Sequence, residues 1–191
     1  MNLFLRLIRV LVVGLFFEKG TKLVDSHVVA SKVGFGDTLW GTHMVLSRFA
    51  SFTDLAIMNY LVRSRSLNTF RKNGWIPIIQ AETFDYFGEL ARGDRFRVVT
   101  QLAGWDGVYF CFLHKFTRDD ELVAVSWMVT RVVARAKRLV TAQDVMAAMQ
   151  VNYESPDLDV RFSAAINELR AQPSNRFGPV VPVARATQPE K

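Results

Sequence analysis

Residues 49–62 read FASFTDLAIMNYLV, and this stretch determines the class of fold. On a helix its apolar side chains point in almost every direction, a pattern typical of a helix that is buried on all sides. Ser47 and Ser51 are both suitable N-cap residues, so we expect the helix to begin at one of them. A helix of this kind must be enclosed by other elements of the chain.

The sequence on either side of this helix supplies strands. Residues 26–34 predict one strand before the helix, and four more are predicted after it, at 76–87, 95–102, 108–116 and 122–133. Turn sequences follow the third and fourth of these strands, and tight turns join antiparallel neighbours. The last strand is apolar on both faces, which predicts a place in the centre of a sheet or at a subunit interface. We therefore expect an α+β domain in which an antiparallel sheet of about five strands wraps around one central buried helix.

The composition of the 191 residues changes along the chain and divides it into four parts. Residues 1–22 form an apolar, arginine-bearing leader, and residues 23–140 hold the predicted domain. Residues 141–171 predict a helical extension, with helices over 141–151 and 157–170. Residues 172–191 hold four of the six prolines and predict a flexible tail.

The leader contains an apolar run from Val10 to Phe17, which falls short of the roughly 20 residues that cross a bilayer. Glu18-Lys19-Gly20 is a poor cleavage site, which argues against a signal peptide. Two alternatives remain: a basic helix lying in the interface of an anionic membrane, or an amphipathic helix docked on the domain or on a partner. We expect membrane contact through residues 1–17 of an otherwise cytoplasmic protein.

A formal net charge of +6 raises the question of nucleic-acid binding. Segments 1–22, 131–138 and 171–191 together carry +9, so the rest of the chain carries −3. A nucleic-acid-binding domain usually carries its positive charge as a stripe on the folded body, so we expect no nucleic-acid partner. The leader and the cluster at 131–138 remain candidates for binding phosphate groups or anionic lipid.

Several kinds of catalytic site are missing from the sequence. It has no glycine-rich phosphate loop, no G-x-S-x-G motif and no histidine pair at metal-binding spacing, so we expect no metal site. Cys111 is the only cysteine, which rules out an intramolecular disulfide. Because it lies between Phe110 and Phe112 in a predicted strand, we expect a buried structural thiol.

Polar residues near the helix carry the candidate chemistry. Asp37 lies in a glycine-containing loop before the helix, with His43 six residues later, where backbone N–H groups at the helix N-terminus can polarise a carbonyl. The alternative for Asp37 is a structural turn residue. Asp54 is a carboxylate on the apolar helix, where burial raises a pKa, and its alternative is an ion pair with Arg48 or Arg63.

Two further acids lie on the second predicted strand. Glu82 and Asp85 are three residues apart and therefore point to opposite faces of that strand. One of them can reach a pocket, and the alternative is that both belong to a solvent-exposed surface.

Several separated segments resemble the opening motif of hotdog-fold thioesterases of the 4-hydroxybenzoyl-CoA thioesterase type. They are Phe35-Gly36-Asp37-Thr38-Leu39, His43-Met44, Arg48-Phe49 and Thr53-Asp54-Leu55-Ala56. Three later segments resemble the branch related to thioesterase superfamily member 6: Gly74-Trp75-Ile76-Pro77, Ala81-Glu82-Thr83 and Leu102-Ala103-Gly104-Trp105-Asp106. The resemblance covers about residues 1–135.

This resemblance implies a hotdog fold, a homodimer or dimer of dimers with the site at the subunit interface, and acyl-CoA-type thioester substrates. Coenzyme A would be part of the substrate, with no separate cofactor. The family mechanism implies a carboxylate acting as nucleophile or general base while N–H groups at the helix N-terminus bind the thioester oxygen. We expect catalytic roles for Asp37, the first-choice base, and for His43 and Asp54, and substrate-binding roles for Trp40, Phe49 and Glu82.

The chain departs from the family motif at a position that bears on activity. The acid that is catalytic in 4-hydroxybenzoyl-CoA thioesterase falls on Leu39, and two asparagines fall on Val45 and Leu46. Leucine can neither attack a carbonyl nor accept a proton. The leading hypothesis is hydrolysis of acyl-CoA assisted by Asp37 or Asp54. The alternatives are a non-catalytic acyl- or lipid-binding hotdog protein, and hydration of an acyl thioester by His43 with Asp54.

Overall fold

A computed structural model gives the fold of the chain and describes residues 8, 22–135 and 138–172. In chain order its strands are β1 (His27–Lys32), β2 (Thr38–Leu39), β3 (His43–Met44), β4 (Trp75–Tyr86), β5 (Arg95–Asp106), β6 (Tyr109–Arg118), β7 (Glu121–Ala134) and β8 (Leu139–Val140). Its helices are α1 (Leu46–Arg63), α2 (Ser66–Asn73), α3 (Ala142–Met149) and α4 (Val160–Ala171).

The main sheet has the order β1-β5-β6-β7-β4, with every neighbour antiparallel. This confirms the five predicted strands, and β7 lies between β6 and β4, as its two apolar faces predict. The short β8 pairs with the end of β7, and β2 and β3 form a separate two-stranded hairpin. The glycine-containing loop before the helix therefore contains this hairpin and a 3₁₀ turn over Phe35–Asp37.

Helix α1 lies against the inner face of this sheet, as predicted for the helix that is apolar all round. Phe49, Phe52, Leu55 and Ala56 are among its buried residues. The helix begins at Leu46 rather than at Ser47 or Ser51, and Val45 is its N-cap. A tertiary hydrogen bond fixes this start, because the Val45 N–H donates to the carbonyl of Asp37 at 3.0 Å.

Two further features differ from the sequence prediction: an additional helix and a longer third strand of the main sheet. The short helix α2 is not predicted, and Gly74 caps its C-terminus with a φ of 65°, a left-handed conformation that glycine adopts without strain. The turn sequence after the third predicted strand, Gly104-Trp105-Asp106-Gly107, lies mostly within β5, which continues to Asp106 past a bulge between Leu102 and Gly104. β5 and β6 remain paired as far as Asp106 and Tyr109, so the chain turns only after Asp106.

The outer face of the sheet is covered by α4, which packs Phe162 and Ile166 against Tyr109, Cys111 and Val129. Cys111 is fully buried, as predicted, and burial raises the pKa of its thiol to about 12. The structure therefore has three layers, with α1 inside, the sheet in the middle and α4 outside.

The leader and tail proposed from composition largely fall outside the described residues. Only Ile8, Lys22 and Gln172 are described within 1–22 and 172–191. No helix in the part of the chain that is described has the length and apolar character needed to cross a membrane. Arg131, a member of the basic cluster at 131–138, is fully buried in β7 and therefore presents no charge at the surface.

Candidate active site

The segment between β1 and α1 holds the first candidate residue, Asp37, which is 5% exposed. Its Oδ2 accepts the Gly34 N–H at 2.8 Å, and its Oδ1 lies 3.8 Å from the Arg48 Nε. Arg48 also donates to the carbonyl of Gly36, at 3.2 Å from Nε and 2.9 Å from Nη2. The carboxylate thus binds the turn and the first turn of α1 together, which is the structural alternative considered for Asp37. Its predicted catalytic role stays a prediction.

The second candidate residue, His43, lies on β3. Its Nε2 is 3.1 Å from Oε2 of Glu89, and both side chains are largely exposed. Leu39 lies directly opposite His43 in the hairpin and is 59% exposed. An apolar side chain therefore lies beside the histidine at the position where the family motif has an acid. Glu89 has no signal in the sequence, because it is brought to His43 by the bridge between His43 and Ala91.

Two of the predicted substrate-binding residues have opposite environments. Trp40 is 91% exposed at the tip of the β2–β3 hairpin, with a left-handed φ of 53°. Phe49 is buried, and its ring packs edge-on against Tyr86 and Phe116 with centroids 5.1 Å away in each case. In the single chain Phe49 belongs to the core, and its substrate-binding role stays a prediction.

Asp54 occupies the one stripe of α1 that the sheet leaves open. The sequence places this carboxylate on an apolar helix where burial is expected, but its side chain is exposed, whereas Phe52, Leu55 and Ala56 of the same helix are buried. Neighbouring protein atoms still displace part of its water shell, and this partial burial raises the pKa of Asp54.

Glu82 lies on β4 beside Asp54 and is half-buried under α1. Its Oε1 accepts a hydrogen bond from Ser126 Oγ at 2.7 Å, and the Thr53 hydroxyl also interacts with the carboxylate. Burial raises the pKa of Glu82, the hydrogen bonds from Ser126 and Thr53 oppose that rise, and the charge of Asp54 adds to it. Asp85 points to the outer face, as the pleat predicts, where it accepts from Trp127 Nε1 at 3.1 Å and pairs with Arg161.

A row of buried polar side chains leads across the sheet to Glu82. His27, Thr100, His114 and Ser126 lie opposite one another on four adjacent strands, and each is at most 1% exposed. Thr100 Oγ1 and His114 Nδ1 are 2.9 Å apart, and burial lowers the pKa of His114 to about 3, so its ring is neutral. The inward alternation of Phe96, Val98 and Thr100 is the sequence signal for part of this row.

The N-terminus of α1 supplies backbone donors. Its N-cap, Val45, makes no side-chain cap bond, and in the first turn the Arg48 N–H donates to the Val45 carbonyl at 2.9 Å. Such donors bind a partially negative oxygen. The chain therefore presents two features with chemical potential: a pair of carboxyl groups with raised pKa values, and a helix N-terminus without a side-chain cap.

No group of three His, Cys, Asp or Glu side chains suited to a metal ion occurs within the described ranges.

A sequence model of the thioesterase-like superfamily matches residues 33–165, which include the 3₁₀ turn, α1 and the whole main sheet after β1. The chain belongs to the thioesterase-like superfamily. No curated protein matches the sequence. The family match does not distinguish between branches of the superfamily, so the placement in the branch related to thioesterase superfamily member 6 stays a prediction.

Solved thioesterase structures share the fold of this superfamily member. The 1,4-dihydroxy-2-naphthoyl-CoA thioesterase from Synechocystis is 15% identical with a TM-score of 0.57, over 66% of this chain and 96% of that chain. The 4-hydroxybenzoyl-CoA thioesterase from Pseudomonas sp. strain CBS-3 is 15% identical with a TM-score of 0.58, over 64% and 98%. A gentisyl-coenzyme A thioesterase is 15% identical with a TM-score of 0.55, over 63% and 99%. At these identities the likeness shows the hotdog fold, as predicted, and not the substrate.

Proposed function

We propose that this thioesterase-like protein hydrolyses an acyl-CoA-type thioester, with Asp54 as the attacking or proton-accepting carboxylate. The observation that carries the proposal is the neighbouring pair Asp54 and Glu82, both with a raised pKa, on a face of α1 and β4 that the single chain leaves open. Perturbed carboxyl groups of this kind are typical of catalytic sites. The superfamily and the CoA thioesterases that share the fold support an acyl-CoA-type thioester as the substrate class.

The distance along α1 determines which N–H donors can act with Asp54. Asp54 follows Leu46 by eight residues, which is about 12 Å along a helix axis. A carboxylate attacking a thioester carbon must approach it to about 3.5 Å while the donors hold the oxygen of the same carbonyl. The first turn of the same α1 is therefore too far away, and a second copy of the chain supplies these donors.

The exposure of β4 supports a dimer that would bring Asp54 of one copy close to the N-terminus of α1 in the other copy. β4 is a 12-residue edge strand with no fully buried residue, whereas β5, β6 and β7 are buried over much of their length. Ile76, Ile79, Tyr86 and Phe87 leave large apolar side chains exposed along or next to it. An isologous dimer through this edge pairs β4 antiparallel with its copy and covers these side chains.

The proposed reaction needs no group other than water. Asp54 takes a proton from a water molecule, the resulting hydroxide forms the new C–O bond, and the C–S bond breaks. The thiolate leaves with the electron pair of that bond and takes up the proton, which gives a carboxylic acid and free CoA. Helix N–H groups stabilise the negative charge that develops on the carbonyl oxygen.

The test is thiol release from a panel of acyl-CoAs. We expect Asp54→Asn to lower kcat/KM by about 10²- to 10⁴-fold, because an amide cannot accept the proton. The acidic limb of the wild-type pH profile should lie above the ordinary aspartate range, since the base must be ionised and its pKa is raised.

Asp37→Asn is the matched control, because it makes the same chemical change in the other candidate carboxylate. We expect it to lower thermal stability while kcat/KM changes far less than in Asp54→Asn. A large loss of turnover only in Asp37→Asn would refute the assignment to Asp54 and support the sequence-based choice of Asp37.

Non-catalytic binding of an acyl group is the second candidate function, and Leu39 favours it. This exposed leucine stands beside His43 where the family motif carries an acid. Acyl-CoA binding by the wild-type protein without thiol release would support this candidate over hydrolysis. Water addition to an enoyl-CoA would instead support the hydratase alternative with His43 and Asp54.

Membrane contact through residues 1–17 remains a proposal based on the sequence of the leader. We expect the full chain to co-sediment with anionic liposomes and a variant lacking residues 1–19 to remain in the supernatant. Equal co-sedimentation of the two proteins would refute a membrane role for the leader.

A further inference from the structure

Two segments of the sequence carry basic side chains and no acidic ones. One runs from 55 to 81 and includes α2, and the other runs from 122 to 143 and includes the turn after β7. Their charged side chains are Arg63, Arg65, Arg71 and Lys72 in the first segment, and Arg131, Arg135, Lys137 and Arg138 in the second. The chemistry proposed at Asp54 and Glu82 uses none of these cations.

The sheet brings the two segments together at one end of the molecule. Trp75 at the start of β4 lies opposite Ala134 at the end of β7, and the Arg135 N–H donates to the carbonyl of Gly74 at 3.1 Å. The aliphatic part of the Arg135 side chain also lies beside Gly74, 3.5 Å from the position that a Cβ atom would occupy there. Arg135 is therefore next to the last turn of α2 and the two cations of that turn.

Five of these cations are exposed, and together we call them the basic face. They are Arg65, Arg71 and Lys72 at α2, and Arg135 and Arg138 between β7 and β8. None of the five forms an ion pair with a carboxylate in residues 22–135 or 138–172. Arg131 does not belong to the face, because it is fully buried. The basic face is thus a patch of one sign of charge at the C-terminal end of α1.

The leader enters the domain beside the same face. Leu23 and Phe70 of α2 are buried in one hydrophobic cluster and line the same cavity, and the Tyr60 hydroxyl donates to the carbonyl of Leu23. The leader, residues 1–22, therefore joins the domain next to α2. It carries the apolar run from Val10 to Phe17 as well as further basic residues.

The combination of cations with an apolar segment decides between the possible anionic partners. Proteins bind anionic lipid through clustered Lys and Arg side chains together with apolar side chains at the interface. Ile76, next to the basic face on β4, is 52% exposed and adds an apolar contact. A nucleic acid would engage the cations but not the apolar leader, and a second copy of the chain would bring like charges together.

We propose that the basic face docks on an anionic membrane surface, with the leader against the same surface. The attraction of each cation to such a surface falls off within about 10 Å, so all five contribute only when this end of the molecule faces the membrane. α1 has 18 residues, so its N-terminus then lies about 27 Å further from the membrane. The proposal adds a second contact to the one proposed for residues 1–17, and it does not depend on hydrolysis.

Binding of the full-length protein to vesicles of phosphatidylcholine and phosphatidylserine in equal parts tests the proposal. We expect Arg71→Gln/Lys72→Gln to bind at least about tenfold more weakly than the wild type and with a smaller dependence on salt. The matched control is Arg95→Gln/Lys115→Gln, which removes one arginine and one lysine from exposed positions on β5 and β6. This control should bind as the wild type does, and both variants should unfold at the wild-type temperature.

A fluorescent label on an introduced cysteine reports which end of the molecule touches the membrane. Cys111 is fully buried and does not compete for the label. We expect an environment-sensitive label at Asn68→Cys, on the exposed side of α2, to shift to the blue with the phosphatidylserine vesicles. The same label at Glu89→Cys, an exposed position beside His43 near the other end of α1, should not shift.

The outcomes separate the basic face from the leader and from other partners. Absence of wild-type binding to the phosphatidylserine vesicles would overturn the proposal, as would equal binding of the α2 and control variants or a shift only at Glu89→Cys. A DNA oligonucleotide that binds the wild type and not the α2 variant, with vesicle binding unchanged, would overturn it in favour of nucleic acid. Unchanged vesicle binding after deletion of residues 1–19, with a loss in the α2 variant, would support the basic face and refute only the leader.

Discussion

Asp37 and Asp54 are the same amino acid in two different environments. The carboxylate of Asp37 is occupied by the Gly34 N–H and faces Arg48, whereas that of Asp54 lies on an open stripe of α1 beside Glu82. The oxygens of Asp37 are already engaged, while partial burial raises the pKa of Asp54 and makes it a better base. At this scale the candidate chemistry depends on neighbours that lie far away in the sequence.

His114 gives a prediction of its own, because burial lowers its pKa to about 3. The same side chain titrates near 6.5 in the unfolded chain. Between these values the unfolded chain binds a proton that the folded chain does not, so the folded state loses stability as the pH falls from about 6.5 towards 3. The loss approaches about 1.4 kcal/mol per pH unit.

His114→Gln removes this proton site and keeps a hydrogen-bonding partner for Thr100. We expect the free energy of unfolding of the variant, measured with urea from pH 7.5 to 5, to fall less steeply below pH 6.5 than that of the wild type. The pKa of His27 is also lowered, mainly by burial and secondly by the charge of Arg63. Because His27 is present in both proteins, it adds the same pH dependence to the stability of each. A constant difference in stability across this range would contradict a buried neutral His114.

Among the elements, α4 fastens the C-terminal extension to the sheet. Arg161 lies over the Trp127 ring at 4.9 Å and pairs with Asp85, and Phe162 packs on the same tryptophan with centroids 5.2 Å apart. We expect Phe162→Ala to lower the free energy of unfolding by about 3–5 kcal/mol, since it leaves a cavity under the helix. Val160→Ala changes an exposed residue of the same helix and should have almost no effect. Similar stabilities of the two variants in urea titrations would show that α4 does not pack as described.

The two edge strands of the main sheet, β1 and β4, differ in length, and we propose that only the longer one forms a dimer interface. β1 has 6 residues and β4 has 12, yet Val28 on β1 and Ile79 on β4 are both 43% exposed. If the proposed dimer forms through β4, a lysine at Ile79 places two charges close together at the two-fold axis.

We expect Ile79→Lys to be a monomer and Val28→Lys to remain a dimer in multi-angle light scattering. Thiol release should fall together with dimerisation, because the donors that act with Asp54 would come from the second copy. A dimeric Ile79→Lys variant would refute an interface at β4.

The sequence alone was sufficient for the overall architecture. An apolar helix at 49–62 requires an enclosing shell, and strands joined by tight turns can supply it only as an antiparallel sheet. The buried Cys111, the central position of β7 and the opposite directions of Glu82 and Asp85 follow from the same local periodicity. The local spacing of apolar residues determines these features because it shows which side of each helix or strand is buried away from water.

Only the tertiary structure decided which polar groups meet. The pairing of His43 with Glu89, the occupied carboxylate of Asp37 and the contact of Ser126 with Glu82 all depend on strand register and loop path. The pairing of Lys32 with Arg95 joins residues that are distant in the chain. Periodicity cannot predict such pairs, since it gives the face of a residue but not its partner across the sheet. The amino-acid sequence thus determined the helix and its enclosing sheet, and register and packing determined the site.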